Sequence, residues 1–194
     1  MRTDRRFPFI LALAVLLAAG PLHAAGSKEK SPAEKASDDA RKATGIYNEG
    51  VTRMERADAI GLKGNVAHAY DYSATPDGKA IREYEQAVAS FAKAIALDPK
   101  MKEAHNNLGY CYRKLGKLRE SLAAYDQAIA LDPAFAQARE YRGETYLALG
   151  QVDKAEGELA ELNRLKSRYA GQLEKSIGLY RERQAQAAAH PEGK

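Results

Sequence analysis

The sequence predicts an all-α protein, an α-solenoid of about three helical hairpins closed at its C-terminal end by a capping helix. Three observations carry that expectation. The segment AIALDP occurs at 94–99 and again at 128–133, an offset of 34 residues, and a fixed period of this size marks stacked helical repeats. The composition is rich in Ala, Glu, Lys, Arg and Leu and has no Trp, which favours helices over sheets. Beyond the repeats, Leu159, Leu162, Leu165, Tyr169, Leu173, Ile177 and Tyr180 recur every three or four residues, the apolar stripe of an amphipathic helix.

The elements follow in chain order. Residues 1–24 open with Arg2, Arg5 and Arg6, continue with an apolar run from Phe7 to Ala19, and reach Gly20-Pro21 and a small-residue site at Ala24. This is the layout of a secretory signal peptide, with cleavage expected after Ala24. The run is about 13 residues, whereas a membrane-spanning helix needs roughly 20, so no stable membrane anchor is expected after cleavage. Residues 25–40 are polar, charged and free of large apolar side chains. They cannot offset the entropy of ordering and read as a flexible linker. The folded domain is expected at 41–186. Its first repeat, 43–99, is irregular, with helices at 46–60 and 81–97 and an insertion at 61–80 that holds the turn formers Gly61, Gly64 and Pro76-Asp77-Gly78. Such an insertion is either a longer connection or extension of the helices, the plainer reading, or a functional loop. Repeats at 102–135 and 136–166 follow, then the capping helix at 168–186 and a disordered tail at 187–194.

The repeat register reaches beyond AIALDP. Ala87, Ser121 and Ala155 share one position, Phe91, Tyr125 and Leu159 another, and Gly109 with Gly143, Tyr112 with Tyr146, and Gly116 with Gly150 complete the pattern. The stretch HNNLGYCYRKLGKLRESLAAYDQAIALDP at 105–133 resembles the tetratricopeptide-repeat (TPR) family, and the chain as a whole is similar to its small secreted bacterial members. The resemblance covers about 43–166 and is most specific at 102–135. The next copy departs from it at Arg142, where Leu is usual, and lacks the Pro that closes the second helix. Close packing of each hairpin is expected where small residues meet, with Gly50 facing Ala87, Gly109 facing Ser121, and Gly143 facing Ala155. Asp98-Pro99 and Asp132-Pro133 are expected to end helices, because Pro disfavours helical backbone in the residue before it.

Several function classes are disfavoured. The net charge is +4, and loss of Arg2, Arg5, Arg6 and Asp4 with the signal peptide leaves +2, a weak basis for nucleic-acid binding. His68 and His105 have no second His or Cys at ligand spacing, so no metal site is expected. No nucleophile elbow, Cys–His signature or phosphate-binding Gly loop is present. Neither a cofactor nor an enzymatic activity is expected; the remaining catalytic alternative places chemistry at His68 or Asp71 in the insertion. Cys111 is the single Cys, is expected on a buried helix face, and can form no internal disulfide.

The resemblance implies a concave groove lined by the first helix of each hairpin. The candidate groove residues are Tyr47, Glu103, Asn106, Tyr110, Arg113, Lys114, Gln137, Glu140 and Glu144. Asn106 and Tyr110 would pin a bound backbone, and Arg113 and Lys114 would attract acidic groups. Thr44, Val51, Met54, Glu55, Leu147 and Ala148 extend the same surface. Some members of the family clamp the carboxylate end of chaperones with Lys, Asn and Arg. Asn107 resembles the middle Asn of that clamp, but Tyr47 and Val51 in the first copy and Gln137 and Tyr141 in the third replace its other members, so that specialised function is not expected. The resulting expectation is a non-catalytic protein–protein interaction adaptor or scaffold in the bacterial periplasm, or secreted beyond it. It would hold a peptide or partner helix of unknown identity. The alternative is a homo-oligomer, a self-associating component of an envelope complex using the solenoid ends or the 159–180 stripe.

Overall fold

The computed structural model describes residues 30–64 and 77–189. The expected signal peptide, the start of the linker, most of the insertion with His68 and Asp71, and residues 190–194 lie outside the described residues. Within them the regular structure is entirely α-helical: α1 (Pro32–Gly64), α2 (Gly78–Leu97), α3 (Lys102–Lys114), α4 (Leu118–Leu131), α5 (Ala136–Ala148), α6 (Val152–Arg164) and α7 (Ala170–Ala189). The all-α solenoid is thus present as three hairpins, α1/α2, α3/α4 and α5/α6, with α7 packed on the last.

Helix boundaries differ from expectation at several points: the insertion read over 61–80 is helical at 61–64 and from Gly78 onward, and the outermost helices are longer. The first helix does not start near 46, and the linker read over 25–40 is helical from Pro32 onward. The local reason is a reciprocal cap. The Glu34 N–H donates to Ser31 Oγ at 3.2 Å, and the Ser31 N–H donates to the Glu34 carboxylate at 2.8 Å. Pro32 stands at the first helical position, where its missing N–H costs nothing. The side chains of 31–37 stay exposed, so this turn rests on capping and helix-forming residues rather than on core contacts. At the other end α7 continues to Ala189, so the tail expected from 187 begins with three further helical residues.

AIALDP ends α2 and α4 in the same way. Asp98 and Asp132 leave helical backbone for extended φ values of −135° and −143°, as a residue before Pro should. Each Asp carboxylate then accepts the N–H two residues on, Lys100 and Ala134, at 3.0 Å. The Pro carbonyl exposed by the turn is also used in both copies: His105 Nε2 donates to Pro99 O at 3.1 Å, and the Arg139 guanidinium donates to Pro133 O. Between the helices of a hairpin, Gly116 and Gly150 adopt φ +73°. Lys117 N–H reaches Tyr112 O at 2.9 Å, and Gln151 N–H reaches Tyr146 O at 2.8 Å, the bonds of a left-handed helix stop.

The close approach inside each hairpin involves a large side chain as well as the small residues named above. A Cβ on Gly50 would lie 2.7 Å from the Phe91 ring, and one on Gly109 would lie 2.7 Å from the Tyr125 ring. The nearest neighbour of each glycine is thus an aromatic ring of the second helix. Burying each ring contributes about 2 kcal/mol, and Phe91 and Tyr125 are fully buried. In the third hairpin the matching position is Leu159, and a Cβ on Gly143 would instead meet Leu173 of α7 at 2.6 Å. The capping helix therefore fills a slot that an aromatic fills in the earlier hairpins. Leu173 and Ile177 join Leu147, Ala155 and Leu162 in the C-terminal core.

Arg142 stands where the repeat pattern carries Leu. It bridges three helices, pairing with Asp126 on α4 at 2.6 Å and with Glu158 on α6, which also takes Arg139 at 3.1 Å. Charge thus replaces apolar contact at that junction.

The helix contacts define two faces. α1 touches α3 and α3 touches α5, whereas α2 makes no contact with α4, nor α4 with α6. The first helices lie along the inner, concave face and the second helices along the outer one.

Candidate functional site

A pocket of about 120 Å³ opens on the inner face, lined by Met54 and Asp58 of α1, Asn107 and Tyr110 of α3, and Gln137 and Tyr141 of α5. Each helix supplies residues one turn apart, so the pocket is a product of the stack. Tyr47 borders it: Asn107 Nδ2 donates to Tyr47 Oη at 3.0 Å, linking α3 to α1. Asn107 Oδ1 accepts from Asn106 Nδ2 at 3.1 Å, and Gln137 Nε2 donates to Tyr141 Oη at 3.4 Å.

Asp58 anchors the α1 side. Its Oδ1 accepts the Tyr110 hydroxyl at 2.8 Å and also the Tyr84 hydroxyl of α2. Burial, then the hydrogen bond to Asp58, pushes the Tyr84 hydroxyl far above its ordinary value. Burial, then the Asp58 charge, does the same to Tyr110. Both hydroxyls therefore stay protonated and serve as donors. The Tyr110 and Tyr141 rings sit with centroids 5.5 Å apart, and the Arg113 guanidinium lies 5.4 Å and 5.5 Å from them, a cation–π arrangement. Lys114 lies 6.0 Å from the Tyr110 ring. Desolvation and the Arg113 charge lower its ammonium pKa.

The structure places Tyr110 and Gln137 in the lining of one pocket, with Tyr47 at its border. Glu103 is exposed at the start of α3, close enough for its charge to act on Tyr47, and Lys114 stands beyond Tyr110. Four candidates are corrected. Asn106 is 1% exposed, and Glu140 and Glu144 are 4% and 7% exposed. The Arg113 side chain is 7% exposed and pairs with Glu144 at 2.9 Å. These side chains lie on the parts of α3 and α5 covered by neighbouring helices. Arg113 is therefore engaged by Glu144 and is not displayed to attract acidic groups. Burial, then the adjacent Glu144, pushes the Glu140 carboxyl up to about 8.

Asp58 was missed by the sequence reasoning. The signal was available: Tyr47, Val51, Met54 and Asp58 follow helical spacing on one stripe of α1. Among the described residues no group of three or more His, Cys, Asp or Glu is placed to hold a metal ion. No described helix is long and apolar enough to cross a membrane.

Paired antiparallel helices, stacked with their first members inward around a groove, define an α-solenoid repeat protein. Family models agree with that architecture: tetratricopeptide-repeat models match residues 103–135 and 124–157, and a TPR-repeat model matches 83–115. Residues 83–157 thus carry tetratricopeptide repeats. Similar solved structures include the second TPR domain of human RPAP3 in complex with an HSP70 peptide, at 20% identity, covering 69% of this chain and 98% of that one, TM-score 0.48. The Arabidopsis OM64 TPR domain is 18% identical, covering 66% and 98%, TM-score 0.47. A tetratricopeptide repeat protein from Parabacteroides merdae is 19% identical, covering 82% and 68%, TM-score 0.47. No curated protein matches the chain's sequence.

Proposed function

We propose that this protein is a non-catalytic interaction adaptor of the bacterial periplasm that holds a peptide or partner helix against α1, α3 and α5. The observation that carries the reading is the inner pocket, where hydrogen-bonding and aromatic side chains from three successive first helices converge. Asn107, Gln137 and the tyrosine hydroxyls suit a bound backbone, and Met54 with the tyrosine rings suits an apolar side chain. The tetratricopeptide repeats favour an interaction module. The periplasmic location is supported by the arginine-led apolar segment and small-residue cleavage site at 1–24.

The 159–180 stripe, the basis of a self-associating reading, is largely consumed within the chain, since Leu162, Leu173 and Ile177 are buried. The adaptor reading is tested by affinity capture from envelope extract with three forms of the mature protein: wild type, Asn107→Ala with Gln137→Ala, and the outer-face Gln127→Ala. A partner retained by wild type and Gln127→Ala but lost by the groove variant is the expected result. Capture indifferent to the groove variant contradicts it.

A further inference from the structure

The pocket holds one charged side chain among neutral hydrogen-bonding groups. Asp58 is the charged member of its lining. Both neighbouring tyrosine hydrogens, from Tyr84 and Tyr110, are spent on Asp58 Oδ1, and Oδ2 has no hydrogen-bond partner among the described residues. Gln137 uses one amide N–H on Tyr141 and keeps Oε1 as an acceptor. Asn107 uses Nδ2 on Tyr47 and Oδ1 on Asn106. What faces an incoming group is therefore a charged carboxylate oxygen, together with amide and phenolic groups that can accept or donate. Tyr110 and Tyr141 form aromatic walls beside them, with centroids 5.5 Å apart.

A carboxylate ligand finds little here. Arg113 is paired with Glu144 at 2.9 Å, and none of the residues lining the pocket is cationic. A guanidinium has the complementary inventory: planar, permanently charged, five N–H donors and no acceptor. It can lie along an aromatic face while donating to a carboxylate. About 120 Å³ suits such a head group rather than a whole residue.

We propose that the Asp58 pocket receives the arginine side chain of a peptide lying in the groove, with Asp58 Oδ2 and Gln137 Oε1 as acceptors and Tyr110 and Tyr141 as walls. This assignment rests on the groove being the interaction surface proposed above. Lys114 is a neighbouring cation that opposes the ligand's charge. Its removal therefore strengthens binding of an arginine peptide, whereas it would weaken binding of an acidic one.

The experiment is fluorescence anisotropy on the full mature chain with short labelled peptides of neutral background. The central residue is Arg, its uncharged isostere citrulline, or Glu. The Arg peptide binds best. Asp58→Asn weakens it about tenfold or more, the size of a lost charge-assisted hydrogen bond, and leaves the citrulline peptide nearly unchanged. Lys114→Gln tightens it about threefold, the scale of a surface charge effect. Circular dichroism verifies folding; should Asp58→Asn fail to fold, the sign of the Lys114→Gln effect decides. A preference for the Glu peptide, an Arg affinity indifferent to Asp58→Asn in folded protein, or a weaker Arg affinity in Lys114→Gln overturns the arginine assignment while leaving the groove reading standing. Absence of binding by every peptide, together with capture from extract that ignores the groove variant, removes both.

Discussion

Asn106 and Asn107 are adjacent, and the register of one helix decides between them. The sequence reading placed Asn106 on the groove and treated Asn107 as a clamp look-alike; the structure buries the first and sets the second in the pocket. Spacing alone identifies a stripe to within about one residue, roughly 100° of helix, and the contact between neighbouring first helices selects the stripe that remains open. Glu140 shows the same limit. It reads as a solvated groove acid, yet α5 turns it inward beside Glu144. Its carboxyl is raised from an ordinary 4.5 to about 8, so across that interval the folded chain holds a proton that the unfolded chain has released. Stability is then greatest below about pH 4.5 as far as this group is concerned, and falls as pH rises toward about 8. Glu140→Gln should remove that slope. Urea midpoints at about pH 5 and about pH 9 should show the variant gaining roughly 1–3 kcal/mol relative to wild type. Parallel pH profiles would contradict the inward placement.

At the level of elements, the hairpin turns were the most legible part. Asp-Pro at the end of the second helices and Gly116 and Gly150 between helices are backbone requirements, and backbone requirements leave residue signatures. The α1 cap was equally visible in the SPAE motif at 31–34, but a linker reading based on low hydrophobicity outweighed it. The stop after α6 leaves no such signature, because Lys166 occupies the left-handed position at φ 52° that glycine fills elsewhere. Its bonds match those of the other stops: Ser167 N–H reaches Leu162 O at 3.0 Å. A side chain there carries a local steric penalty. Lys166→Gly should raise stability by about 1 kcal/mol, and Gly150→Ala should lower it by about the same amount. Denaturant midpoints with an unchanged slope measure both. Opposite signs would show that these stops do not govern the helix ends.

For the whole molecule, the period of 34 residues was enough to give the hairpins and their stacking order, since each hairpin leaves apolar surface that only a neighbour can cover. It could not give the way the stack closes. Leu173 enters the slot beside Gly143 because the third repeat has Leu159 where the others carry an aromatic, and that exchange belongs to no periodic pattern. Nor could it give the pocket, whose six lining residues come from three helices and include Asp58, outside the motif positions. The central claim concerns the assembled object: successive first helices form the working surface, and the second helices form its back. Photo-crosslinking in living cells tests it most directly, with a photoreactive residue at Gln137 on the inner face or Gln127 on the outer face of the full-length protein. The account predicts a discrete cross-linked partner from Gln137, lost in Asn107→Ala with Tyr141→Ala, and none from Gln127. Cross-links of equal yield from both positions, or from Gln127 alone, would contradict it.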